Sequence, residues 1–355
     1  MTARLIEAAA DRGVFQPRHH FAQLAVDHVS FDGLLGGSQV EARALARILS
    51  DETVVGVVGP RGAGKSSLIA HVCAQLPGTH TALRVPVTGA DDPTDVSAIA
   101  AVALSQALSD LDLERHQREA LERARADERT AERTPAGVRG GTIGGGPIPA
   151  ELNAELATLR QEIATNPLAV DRLAGLERLI TILVARELEP VFVLEDTEAA
   201  IGGAEDTKVA EGFLSGPLHA FVHEVRAPLL IAIQDVFTDL PAFAELAPGM
   251  ALVEIPTLDR PRGRQALAAI IVNRLEQHEL SSDARDLIGA DGLDLLVGFY
   301  EEAGRNLRFT LAALQSGVEY ARRCAPSVSA PGTSGQLSAT GGAGCRADDA
   351  ESLRG

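Results

Sequence analysis

Residues 53–58, Thr53-Val54-Val55-Gly56-Val57-Val58, run directly into Gly59-Pro60-Arg61-Gly62-Ala63-Gly64-Lys65-Ser66, with Ser67 next. The first six are short, β-branched and nearly all apolar, the pattern of a strand buried on both faces. The next eight match G-x-x-x-x-G-K-[ST] in full. A helix is predicted from Lys65 to Leu76 and is stopped by Pro77-Gly78. Glycines let a backbone curl until consecutive N–H groups converge on anionic oxygens, and the following helix aims its positive end at the same point.

That pattern implies phosphate chemistry. Lys65 would supply a point charge for the β- and γ-phosphates, and the Ser66 hydroxyl would bind Mg²⁺. In a chain of this composition the match arises by accident in about one sequence in 500. Only Lys65 and Lys208 are lysines among 32 basic residues. One of the two thus stands where a compact ammonium is wanted and a broad guanidinium fits poorly. Expected cofactors are ATP and Mg²⁺, with Gly59, Pro60, Arg61, Gly62, Ala63, Gly64, Lys65, Ser66 and Ser67 forming the cradle.

Strand candidates follow at 82–87, 191–194, 229–233 and 251–255, separated by helical patterns at 95–109, 150–164 and 171–187. Such alternation predicts an α/β fold with a mostly parallel sheet covered on both faces. On the N-terminal side, Ser38-Gln39-Val40-Glu41 has the form of a capping box opening a helix through about Ser50. After Pro261 only helical patterns appear, at 264–278, 283–287, 293–302 and 307–323. Expected divisions are an N-terminal segment (1–50), an α/β core (51–258) with a charged and glycine-rich insertion near 110–150, a small helical domain (259–323) and a disordered tail (324–355).

Phosphate hydrolysis needs acids at the end of a neighbouring parallel strand. Val191-Phe192-Val193-Leu194 ends on Glu195-Asp196, with Glu198 a third acid nearby. By position Glu195 is the Mg²⁺ residue and Asp196 the general base. The inverted order leaves those roles open and predicts slow turnover. His219 and His223 fall four apart, but no third metal ligand is evident.

Taken in order, these features resemble an AAA+ P-loop ATPase, most closely its origin-recognition/initiator-like or transposition-helper-like branch, over residues 30–323. The resemblance implies a three-layer αβα core followed by a helical lid. It also implies that Gln234, closing the strand 229–233, orients water near the γ-phosphate. Arg308 in Gly304-Arg305-Asn306-Leu307-Arg308 would report nucleotide state from lid to core, with Arg305 as the fallback. Asp235–Glu254 contains no arginine to serve as a finger in a neighbouring subunit, which counts against ring-type hydrolysis and leaves a homo-oligomer open.

The net charge is −17, of which −15 falls within residues 51–258. An acidic core, in a chain with no tryptophan and only two tyrosines, disfavours autonomous nucleic-acid binding. A DNA-engaging loader therefore stays one alternative, a weakly hydrolysing nucleotide-binding regulatory or defence subunit is the other, and a protein partner is expected. Three scattered cysteines suit a reduced, cytoplasmic chain, and no apolar run is long enough to span a bilayer.

Overall fold

The computed structural model describes residues 2–16, 21–35, 39–50, 54–110, 142–143, 146–147, 154–159, 161, 172–185, 187–202, 207–225, 227–280 and 283–324. Most of the insertion near 110–150, together with the C-terminal tail and Ser38 of the expected capping box, lies outside the described residues. Five strands form one all-parallel sheet: β1 (Val54–Gly59), β2 (His80–Pro86), β3 (Glu189–Glu195), β4 (Leu229–Gln234) and β5 (Ala251–Glu254). Their spatial order is β2-β3-β4-β1-β5. The acid-tipped β3 is therefore not the neighbour of β1. β4 lies between them and sets Gln234 beside Gly59.

Alternation along the strands assigns the layers. Val54 and Val58 of β1, Phe192 and Leu194 of β3, and Leu229, Ile231 and Ile233 of β4 face one side. They pack there against the helices Val96–Asp110, Arg172–Val184 and the helical run 207–223. Val55, Val57, Val191, Val193, Leu230 and Ala232 face the other. There they meet α4 (Val40–Ile48) and α5 (Lys65–Ala74), through Ala44, Ile48, Leu68, Ile69 and Val72. Period two with both faces apolar is what a parallel sheet with helices on each side demands.

A second, all-helical core is built by α12 (Arg260–Gln277), α13 (Ala284–Glu302) and α14 (Leu307–Cys324). Between α5 and α12 the chain forms α6 (Val96–Asp110), α7 (Arg172–Val184), α8 (Thr197–Ala200), α9 (Thr207–Phe213), α10 (His219–His223) and α11 (Pro241–Leu246). Gly289, at φ 70°, breaks α13 into two stretches. Asp259 caps α12, its carboxylate accepting from the Arg262 N–H at 3.1 Å, so α12 starts four residues before the sequence-predicted helix at 264. The N-terminal α1 (Thr2–Asp11) and the turn after it join this bundle, burying Leu5, Ala9, Ala10, Val14 and Phe15 against it. Residues 1–50 are thus shared between the two bodies: α1 sits in the bundle, while α3 (Phe31–Leu35) and α4 pack on the sheet. Between them α2 (Phe21–Asp27) lies against α5. Among the described residues no helix is long and apolar enough to cross a membrane.

The expected capping box is corrected. The residue preceding α4 is Gln39, left-handed at φ 53° and making no side-chain cap. The Val40 N–H is held instead by Asp32 Oδ1 at 2.7 Å. The Glu41 carboxylate accepts from the Phe31 and Asp32 N–H groups.

Candidate functional site

The carboxyl edge of the sheet is where β1, β3 and β4 end on Gly59, Glu195 and Gln234, and a cleft opens there against the helical bundle. In open parallel sheets this edge is where ligand crevices form. The glycine loop supplies the cleft's floor, with Gly62 at φ 75° and Gly64 at φ 100°. Lys65, at the start of α5, is buried, and its ammonium donates to the Gly59 carbonyl at 2.9 Å and the Pro60 carbonyl at 2.8 Å. Its third contact is Glu198 Oε1 at 2.5 Å. Burial pulls the Lys65 pKa below the usual lysine range and Arg308 acts the same way, while Glu198 and Asp235 oppose them.

The bundle reaches the loop directly. The Leu307 N–H donates to the Gly62 carbonyl at 3.1 Å, and Asn306 stands over Gly62 so closely that a Cβ there would lie 2.0 Å from Asn306 Oδ1. The same Oδ1 accepts the Phe309 N–H at 3.0 Å and so caps α14. Arg308 lines the cleft together with Gly62, Ala63, Gly64, Lys65, Ser66 and Ser67. Arg305, left-handed at φ 62°, is not among the lining residues.

Away from the loop the cleft turns apolar, walled by Leu24, Val29, Phe31 and Leu34 from the N-terminal segment and by Leu258, Ile270 and Leu311. A buried ion pair closes this end, Arg274 Nε lying 3.0 Å from Asp27 Oδ2. Gln277 donates to Asp27 Oδ1 at 2.8 Å, and Arg274 donates to the Gln16 carbonyl at 3.1 Å. Beneath α5, His28 contacts Ser67 Oγ at 3.2 Å through Nδ1 and Glu41 Oε1 at 2.9 Å through Nε2. Burial works against the Glu41 charge. Its hydrogen bonds, led by His28, nevertheless hold the carboxyl well below the ordinary range, at about 2.

The expected acids do not all converge. Both oxygens of Glu195 are engaged by Arg84 of β2, Nε to Oε1 and Nη2 to Oε2, each at 2.7 Å. The carboxylate expected at the metal is thus paired in a fork geometry with a guanidinium, because the parallel pairing of β2 with β3 brings Arg84 alongside. Asp196 is exposed and left-handed at φ 56°, which turns the chain sharply into the short helix Thr197–Ala200. Thr197 Oγ1 then anchors that turn to the Ala232 carbonyl at 2.7 Å. The turn brings Glu198, and not Glu195, to Lys65. A side recess of the cleft is shared by Ser66, Glu195, Asp196, Glu198 and Arg308. Gln234 lies apart from cleft and recess, in a small cavity behind Glu198.

Sequence reasoning therefore missed the roles of Glu198, Asn306 and the cluster Asp27, His28 and Glu41. Glu198 had a signal, as the third acid after β3, but nothing local showed which way it faces. His219 and His223 lie in contact, their rings tilted by 52° with centroids 4.3 Å apart. Among the described residues no three His, Cys, Asp or Glu side chains gather as a ready metal-ligand set. Scans against protein-family models and curated proteins return no match for this chain.

Proposed function

We propose that the protein is an ATP-binding switch of AAA+ type, in which a P-loop at the sheet edge and a helical lid hold the nucleotide between them. The observation that carries this reading is the buried Lys65 at the head of α5, under a glycine loop that α14 touches through Leu307. The N–H groups of Gly62, Ala63 and Gly64 would cradle the phosphates, with Lys65 and Arg308 supplying positive charge. The Ser66 hydroxyl would hold Mg²⁺, which when bound neutralises developing charge on the phosphates. Leu24, Phe31, Ile270 and Leu311 offer apolar surface of the kind a purine ring fills.

Hydrolysis needs an acid free to orient water. With Glu195 engaged by Arg84, that work falls to Asp196 or Glu198 in the recess shared with Ser66, and slow turnover is expected. In this reading the cycle alters the lid-to-core contact that a protein partner senses.

The test is calorimetric titration with Mg·ATP. Lys65→Ala is expected to weaken binding by about a hundredfold or more, since a charge-assisted phosphate contact is lost from a desolvated site. Unchanged affinity in a folded Lys65→Ala protein would overturn the reading.

A further inference from the structure

One carboxylate of the cleft is claimed by neither motif. Glu198 borders the main cleft with Lys65 and Ser66, the side recess with Asp196 and Arg308, and the cavity that holds Gln234. It stands where all three meet.

Lys65 has three N–H bonds, and its three contacts are the Gly59 carbonyl, the Pro60 carbonyl and Glu198. The two carbonyls belong to the loop itself. An arriving phosphate oxygen can reach the ammonium only by taking the place of Glu198. A displaced carboxylate left without a donor in a half-buried site would be costly.

A donor is at hand. The side chain of Gln234 is buried, and its Nε2 makes no hydrogen bond among the described residues, although the cavity it faces is lined by Glu198 and Thr197. Buried amide donors are seldom left unsatisfied, and each such case asks for an explanation. A second partner for Glu198 supplies one.

We propose that Glu198 is a positioning carboxylate that alternates between Lys65 in the free protein and Gln234 when phosphate occupies Lys65. It rests on the nucleotide-binding reading above. Two consequences follow from the geometry. In the free state Glu198 competes with phosphate, which lowers affinity. In the bound state its anchor is the residue paired with Gly59 at the root of the glycine loop, so occupancy is reported to β4.

The experiment titrates the full chain and its variants with Mg·ATP and with adenosine. Glu198→Gln removes the competing charge while keeping the shape, and should bind Mg·ATP about tenfold tighter with adenosine affinity unchanged. Turnover should fall at the same time, so that KM and kcat drop together, a pattern that structural damage does not produce. Glu198→Asp keeps the charge but shortens its reach, and serves the same arm if the Gln variant does not fold. Gln234→Leu deprives the displaced carboxylate of its donor and should weaken Mg·ATP binding severalfold. That loss should vanish when combined with Glu198→Gln.

Equal or weaker Mg·ATP binding by Glu198→Gln, alongside lost binding in Lys65→Ala, would overturn this inference alone. An equal gain for adenosine would do the same. Retained Mg·ATP binding in Lys65→Ala would instead remove the reading beneath it.

Discussion

Glu41 is a buried acid whose ionised form is held by donors that include His28, the Phe31 N–H and the Asp32 N–H. Its folded pKa, about 2, lies below the unfolded value of about 4.3. The sign follows from that order. Stability from this group is fully present above about pH 4.3 and is lost as pH falls toward 2. The shift corresponds to roughly 2–3 kcal/mol once screening in a cluster with His28 is allowed for. Glu41→Gln should therefore cost about that much in urea unfolding at pH 7, and the gap to wild type should close by about pH 2–3. A gap that stays constant with pH would show that packing, and not charge, fixes the value of Glu41.

Among the elements, α12 and the segment before α3 are joined by the buried pair of Arg274 and Asp27, reinforced by Gln277. Removing one member of such a pair leaves a charge stranded and costs about 3–5 kcal/mol, whereas replacing both by apolar residues is far cheaper. Arg274→Met should thus destabilise more than the double variant Asp27→Leu/Arg274→Met in urea denaturation. Strictly additive losses would disprove the coupling. The same elements mark what the sequence made legible. The five strands stood out because parallel strands buried on both faces are continuous apolar runs, as in Val54–Val58 and Leu229–Ile233. The glycine loop stood out because its chemistry is local. Asp27 and Gln277 meet across 250 positions, and no periodicity encodes that meeting. Arg84 and Glu195 likewise meet only because β2 and β3 pair. The direction of Glu198 depends on the left-handed turn at Asp196, a residue type that tolerates this conformation without announcing it. The start of α12 is hard to read locally for a different reason: Asp259-Arg260-Pro261 carries both a cap residue and a proline permitted in the first turn, and a proline serves as readily as a boundary.

At the scale of the whole molecule, the sheet body, with an apolar cluster on each face, and the helical bundle meet at one cleft, and the chain crosses between the two bodies after α1 and again after β5. A ligand in that cleft would touch the glycine loop from the sheet body and Arg308 from the bundle. Under the proposed function, Mg·ATP at a hundred times its Kd adds about 2.7 kcal/mol of stability. Amide hydrogen exchange can locate that gain, because a coupled bundle gains protection along Leu307–Cys324 as well as in the loop. Two glycine substitutions separate ligand binding from coupling. Gly62→Ala combines a φ of 75° with a Cβ only 2.0 Å from Asn306 Oδ1, so it must drive the Asn306 side chain from its place at the head of α14 and disturb the contact between loop and bundle. Gly64→Ala carries a similar backbone strain at φ 100°, but its nearest neighbour is Phe31 Cζ at 3.8 Å, and the bundle is untouched. Both variants should bind Mg·ATP more weakly, each strained residue costing about 1–3 kcal/mol. At saturating nucleotide, however, Gly64→Ala should recover the protection of α14 and Gly62→Ala should not. Protection of α14 that is indifferent to nucleotide in the unmodified protein, or recovered equally by both variants, would mean that the Gly62–Leu307 contact carries no signal between the two bodies.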